Sequence, residues 1–63
     1  MKNDNQWVAL DNEGTIWVYC VPGQNNVLGL VFKVNCHWEY IVDFQNGVMF
    51  NALDAAIMVE DFV

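Results

Sequence analysis

Cys36 and His37 are adjacent in the sequence, and both side chains are suited to catalysis or metal binding. A thiolate next to an imidazole could act as a nucleophile with its base, or supply two ligands to zinc. Neighbours in an extended segment point to opposite sides, however. A zinc site would also need Cys20 and a carboxylate, at a spacing that matches no zinc-finger pattern. We therefore predict that the pair forms a loop tip, and that the chain holds no metal and no cofactor.

The carboxylates are also spread along the sequence in a way that matches no known kind of site. Residues 11–13 resemble the start of a calcium loop, but positions 15–19 lack the remaining ligands, and a hairpin turn explains the run. Glu39 and Asp43 would lie about 13 Å apart along a strand, too far for two carboxylates that share one reaction. The glycines are isolated, which excludes a phosphate-binding loop, and the sequence contains no serine nucleophile. The sequence predicts that the protein is not an enzyme.

The elements that would position these side chains form a small sheet. Runs rich in Val, Ile, Trp, Tyr and Phe alternate with turn-forming residues, a pattern typical of strands. Strands are predicted at 6–10, 15–21, 27–34 and 38–44, with a loop at 45–47 and a short fifth strand at 48–50. The fold class is therefore α+β: a four- to five-stranded antiparallel β-meander with one C-terminal α-helix packed on one face, in a single domain spanning 1–63.

The helix is predicted from a change in the spacing of apolar residues after Asn51. Asn51 is a favourable N-cap, and Asp54 places a carboxylate near the amide-rich end of the helix. One stripe of the helix is apolar and would face the sheet, with small alanines that allow close approach. Its residues are Ala52, Ala55, Ala56, Val59 and Phe62.

The first two strand pairs have a clear register. A three-residue loop at 12–14, with Gly14 in a left-handed conformation, sets Val8 opposite Val18. The same alternation across the next pair sets Tyr19 over Gly29, where an aromatic ring covers a strand glycine.

The loop between the third and fourth strands decides which side chains share a face. A two-residue loop at 35–36 would set Phe32 opposite Glu39, whereas a three-residue loop at 35–37 would set Phe32 opposite Tyr40. We prefer the longer loop, because it matches apolar side chains with each other and joins a lysine to a carboxylate.

With this register both faces of the sheet are apolar, and one helix can cover only one of them. The helix is expected on the face that carries Val8, Leu10, Ile16, Val18, Cys20, Leu28, Leu30, Phe32, Val34, Trp38, Tyr40, Val42 and Phe44. The other side, which we call the aromatic face, is predicted to bind a partner. Its apolar binding residues are Trp7, Trp17, Tyr19, Val31 and Ile41, and its acidic ones are Asp11, Glu13, Glu39 and Asp43.

Two alternatives to this arrangement remain open. The helix could cover the aromatic face and leave the other face to dimerise, or the sheet could curl into a small barrel that hides both. If the aromatic face does bind a partner, Trp17→Ala should weaken binding more than folding, and Phe32→Ala should do the reverse.

Charge and composition restrict the kind of partner. The net charge is −6, with Lys2 and Lys33 against eight carboxylates. Phosphate backbones and anionic membranes would repel such a chain, so we expect neither direct nucleic-acid binding nor membrane binding. With 56% hydrophobic residues in 63 positions, some apolar surface should meet another protein. The polar N-terminus lacks a signal-peptide core, which predicts a cytoplasmic protein with reduced thiols.

These features predict a small acidic protein–protein interaction module that inhibits or modulates a larger protein, such as a nucleic-acid-acting enzyme with a basic groove. Its carboxylates would then mimic the phosphates of a nucleic acid. In size, charge and compactness the chain resembles the short acidic proteins that phages use against host defence or transcription, which would imply a host cytoplasm. The alternative is a homo-oligomeric structural or assembly module, such as a homodimer, with no inhibitory role.

Overall fold

Five strands and one helix make up the fold in a computed structural model that describes residues 5–23 and 26–63; Lys2 lies outside this part of the chain. The elements are β1 (Gln6–Ala9), β2 (Ile16–Cys20), β3 (Val27–Val34), β4 (His37–Val42), β5 (Gln45–Met49) and α1 (Ala52–Phe62). The strands form one antiparallel sheet in sequence order, and α1 packs against it. The predicted α+β class is confirmed, with five strands. In the described ranges, no helix has the length and apolar character needed to cross a membrane.

The register of the first three strands is the predicted one up to Tyr19, after which an irregularity in β2 pairs Cys20 with Val27. Val8 pairs with Val18, and Tyr19 pairs with Gly29. Gly14 has a φ of 71°, the left-handed conformation expected for the β1–β2 loop. The turn chemistry and the alternation of side chains therefore fix this half of the sheet.

The β3–β4 connection differs from the prediction by one residue. Val34 pairs with His37 across a two-residue turn, and Phe32 lies opposite Glu39. The turn is possible because Asn35 adopts a φ of 56°, a conformation that Asn tolerates better than most residues. The three-residue loop is therefore wrong, and every side chain of β4 points to the face opposite to the predicted one.

The β4–β5 connection is also a two-residue turn whose first residue is left-handed. Val42 pairs with Gln45 across a two-residue turn, in which Asp43 has a φ of 52°. Asp shares with Asn a short polar side chain that makes the left-handed region accessible. The predicted loop at 45–47 is thus wrong, because those residues already belong to β5.

The helix begins as predicted. The Asn51 side-chain oxygen accepts a hydrogen bond of 2.9 Å from the Asp54 backbone N–H, which satisfies one of the free amides at the helix start. Ala55 and Val59, at the centre of the predicted stripe, are fully buried. Phe62, at its end, is exposed.

The helix covers the aromatic face, so the predicted side is wrong, and the helix lies where the first of the two alternatives placed it. The buried core consists of Tyr19, Val31, Tyr40, Val42, Ala55 and Val59. With β4 turned over, Tyr40 and Val42 join Val31 on this side, which supplies enough apolar surface to receive the helix. The opposite side of the sheet is left uncovered.

Candidate interaction surface

The sheet carries a continuous apolar surface on the side away from α1, which we call the open face. Alternation along each strand and the pairing between strands place its side chains together. Its apolar members are Val8, Ile16, Val18, Leu30, Phe32, Val34, Ile41 and Val48. All of them keep part of their surface in solvent, with Ile41 at 42% and Val48 at 60% exposed.

Directly opposed residues arrange this surface in two rows across the strands. The first row consists of Val8, Val18, Leu30 and Ile41, which are all apolar, and ends at Asn46 on β5. The second consists of Ile16, Phe32, Glu39 and Val48. Neighbouring side chains in such rows lie about 5 Å apart, so they present a continuous wall with one polar interruption.

Glu39 is the one carboxylate that the described strands place on the open face. Its Oε2 atom lies 3.1 Å from Nε2 of His37, two residues earlier on the same strand. The remaining acidic side chains of the described residues lie in the β1–β2 loop, in the β4–β5 turn and on α1. The open face is therefore nearly free of charge in a strongly acidic chain.

The residues predicted to bind a partner are divided between the two sides of the sheet. Trp7, Trp17, Tyr19 and Val31 lie on the helix-covered face, where Val31 is only 2% exposed. Ile41 and Glu39 lie on the open face. Asp11 and Glu13 lie in the β1–β2 loop, and Asp43 lies in the β4–β5 turn. The structure thus does not bring these nine residues together as one surface.

The two tryptophans near the start of the chain already have partners within the protomer. The Trp7 ring packs on Tyr19 with centroids 4.8 Å apart, and its Nε1 donates to Oε2 of Glu60 at 2.8 Å. Nε1 of Trp17 donates to the Gly14 carbonyl at 3.0 Å. Both indoles therefore support the fold, which fits their half-buried positions beneath α1.

Asp11 is engaged in closing its own loop. One carboxylate oxygen accepts from the backbone N–H groups of Thr15 (2.9 Å) and Ile16 (3.2 Å), and the other accepts from the Thr15 hydroxyl. The hydroxyl bond lowers the pKa of Asp11 most. Desolvation, the second-largest effect, opposes it, and each backbone bond lowers the pKa by less. These contacts agree with the predicted hairpin turn.

An apolar cavity of about 490 Å³ lies where the open face meets the β5 edge and the start of α1. Cys36, His37, Val48, Met49, Phe50 and Asp54 line it. In the part of the chain that the structure describes, no three His, Cys, Asp or Glu side chains lie together so as to hold a metal ion. Cys20 and Cys36 are free thiols. The cavity thus extends the apolar surface around the sheet edge.

Sequence reasoning assigned the open-face residues of β1, β2 and β3, among them Leu30 and Phe32, to the covered core, because it made the β3–β4 turn one residue too long. The signal that could have corrected it is the pair Asn35 and Asp43, each placed to take a left-handed conformation at the first position of a two-residue turn. Comparison of the chain with protein-family models, with curated proteins and with solved structures finds no match.

Proposed function

We propose that this chain is a small acidic protein–protein interaction module that binds its partner through the open face. The observation that supports this is the apolar row from Val8 to Ile41, which spans four strands and has no covering element among the described residues. Soluble domains rarely expose a continuous apolar surface of this kind unless it meets another protein.

The open face has the organisation of an interface. Phe32 and Leu30 lie on the central strand, where an aromatic and a large aliphatic side chain could serve as anchors. The edge strands carry both kinds of side chain on this face: Gln6 and Val8 on β1, and Asn46 and Val48 on β5. Apolar contacts that exclude water from the centre of a surface contribute most to binding. The partner should therefore present an apolar surface of low charge.

A second candidate function uses the acidic groups, which lie elsewhere on the molecule. Asp54, Glu60 and Asp61 lie on α1, while Lys33 is the one lysine in the described ranges. This separation of charge from the open face favours an inhibitor or modulator whose carboxylates take the place of phosphates in the basic groove of a larger protein. It would act from the helix side and the loops, and its binding would weaken steeply with salt.

One capture experiment separates the two functions. Three proteins would be immobilised: the wild type, Ile41→Glu on the open face, and Ile57→Glu on the helix. Ile57 is a matched control, since it is 47% exposed against 42% for Ile41. We expect a defined partner, identified by mass spectrometry, to bind the wild type and Ile57→Glu at low and high salt, and to be lost with Ile41→Glu.

Two results would contradict the open-face function. One is retention of every partner by Ile41→Glu, and the other is capture that disappears at high salt in all three proteins. The second result would instead support the acidic inhibitor.

A further inference from the structure

We infer that the partner on the open face is a second copy of this chain, so that two sheets pack face to face with their helices on the outside. This inference rests on the proposed function and names the partner that the surface fits. The reasons are the distribution of charge, the symmetry of the contact, its area and the small size of the protomer's own core.

Charge is the first reason. Two copies with a net charge of −6 each repel one another over most of their surfaces. The open face is the exception, because its one carboxylate, Glu39, lies against His37 at 3.1 Å. The acidic side chains of α1 lie on the far side of the sheet and would point away from the contact. Copies that meet here bring together one carboxylate from each chain, whereas α1 alone carries three.

Symmetry is the second reason. A two-fold dimer uses the same patch on both subunits, so the patch must complement itself. The row of Val8, Val18, Leu30 and Ile41 meets this condition, since apolar side chains pack against a rotated copy as well as against any other apolar surface. Sheets that pack in this way lie about 10 Å apart with their strands rotated by about 30°.

Area is the third reason. Five strands at a spacing of about 4.8 Å and a length of about 18 Å give a flat face of roughly 450 Å². Two faces together bury about 900 Å² of flat area, and more of the rougher accessible surface, which lies in the range of weak, transient interfaces. We therefore expect a dimer that dissociates on dilution rather than a permanent one.

The protomer's core is the fourth reason. Its largest fully buried side chains are three valines, Val31, Val42 and Val59. Chains below about 70 to 80 residues rarely gain enough stability from a single core, and oligomerisation is one of the ways in which they compensate. A face-to-face dimer would add a second apolar layer, built from Leu30, Phe32 and their neighbours, to each protomer.

Sedimentation equilibrium of the full chain, from low micromolar to millimolar concentration, tests the inference. We expect a monomer–dimer equilibrium in the wild type and in Ile57→Glu. Ile41→Glu should raise the dissociation constant at least tenfold, because each dimer would bury two new carboxylates. Val48→Glu, on the second row and 60% exposed, provides a second variant if Ile41→Glu does not fold.

The geometry of the dimer needs its own measurement. In a mixture of isotope-labelled and unlabelled chains, intermolecular NOEs should connect the methyl groups of Val18, Leu30 and Ile41. A wild type that stays monomeric at millimolar concentration would overturn the inference, and so would NOEs confined to the outer edges of β1 and β5.

Failure of the dimer inference can be distinguished from failure of the proposed function. If the wild type is monomeric but Ile41→Glu abolishes a complex with a different protein, the inferred dimer is wrong and the proposed interaction module is supported. If Ile41→Glu changes neither self-association nor any other complex, both are wrong.

Discussion

At the scale of single residues, the β1–β2 loop depends on one carboxylate. Asp11 accepts hydrogen bonds from two backbone amides and one hydroxyl, all contributed by Thr15 and Ile16. These bonds favour the ionised carboxylate, so the pKa of Asp11 lies below its usual 3.8. Asp11 therefore contributes to stability fully above the usual value, and this contribution is lost as the pH falls through the lowered pKa.

Replacing the hydroxyl tests this account. Thr15→Val removes the donor with the largest effect and leaves the two amides, so the pKa of Asp11 should rise. Asp11's contribution to stability should then be smaller, and its loss should be complete at a higher pH. NMR titration of the Asp11 side-chain carboxyl carbon measures the change, and Thr15→Ser, which keeps a hydroxyl, should retain the low value. An unchanged titration in Thr15→Val would show that the amides alone determine the pKa.

At the scale of elements, the helix approaches the sheet at a glycine. A Cβ atom on Gly29 would lie 2.6 Å from Cγ1 of Val59 and 3.1 Å from the carbonyl oxygen of Ile41. The first distance is well inside van der Waals contact. The absence of a side chain at position 29 therefore sets how closely α1 can lie on β3.

Gly29→Ala should consequently destabilise the fold. We expect a loss of about 1–3 kcal/mol in the free energy of unfolding, the usual cost of an extra methyl group in a packed core. Urea denaturation at a fixed protein concentration measures it. Because Val59 makes the closest contact, Gly29→Ala combined with Val59→Ala should cost less than the sum of the two single changes. Strictly additive costs would mean that the helix does not pack on this glycine.

The fold class, the register of β1, β2 and β3 up to Tyr19, and the N-cap of α1 could all be predicted from the sequence, because each has a local signal. Gly14 marks the first turn, and Asn51 marks the helix start. The faces of β4 and β5 could not be predicted, because they depend on two non-glycine residues in a left-handed conformation. A one-residue error at Asn35 reverses a whole strand. The side of the sheet that the helix leaves uncovered is therefore the one that the sequence assigned to the core.

At the scale of the whole molecule, the two sides of the sheet have different roles. Trp17 is half-buried against the core and donates its indole N–H to the Gly14 carbonyl. Phe32 lies on the open face, opposite Ile16 and Glu39. This arrangement reverses the expectation drawn from sequence for substitutions at these two positions.

Trp17→Ala should therefore lower the free energy of unfolding of the protomer by about 3 kcal/mol, as for the truncation of a large core aromatic. Phe32→Ala should cost the dilute protomer less than this and should weaken association at the open face more. Chemical denaturation in dilute solution, together with sedimentation at high concentration, separates the two effects. Equal losses of stability from both changes would be inconsistent with an uncovered Phe32.

The position of α1 after all five strands has a consequence for folding. Until α1 packs, the sheet has nothing over Tyr19, Val31 and Tyr40, and its other side is apolar as well. Chains with transiently exposed apolar surface are prone to aggregate. The interval between formation of the sheet and packing of the helix is therefore the stage of folding at which aggregation competes most strongly.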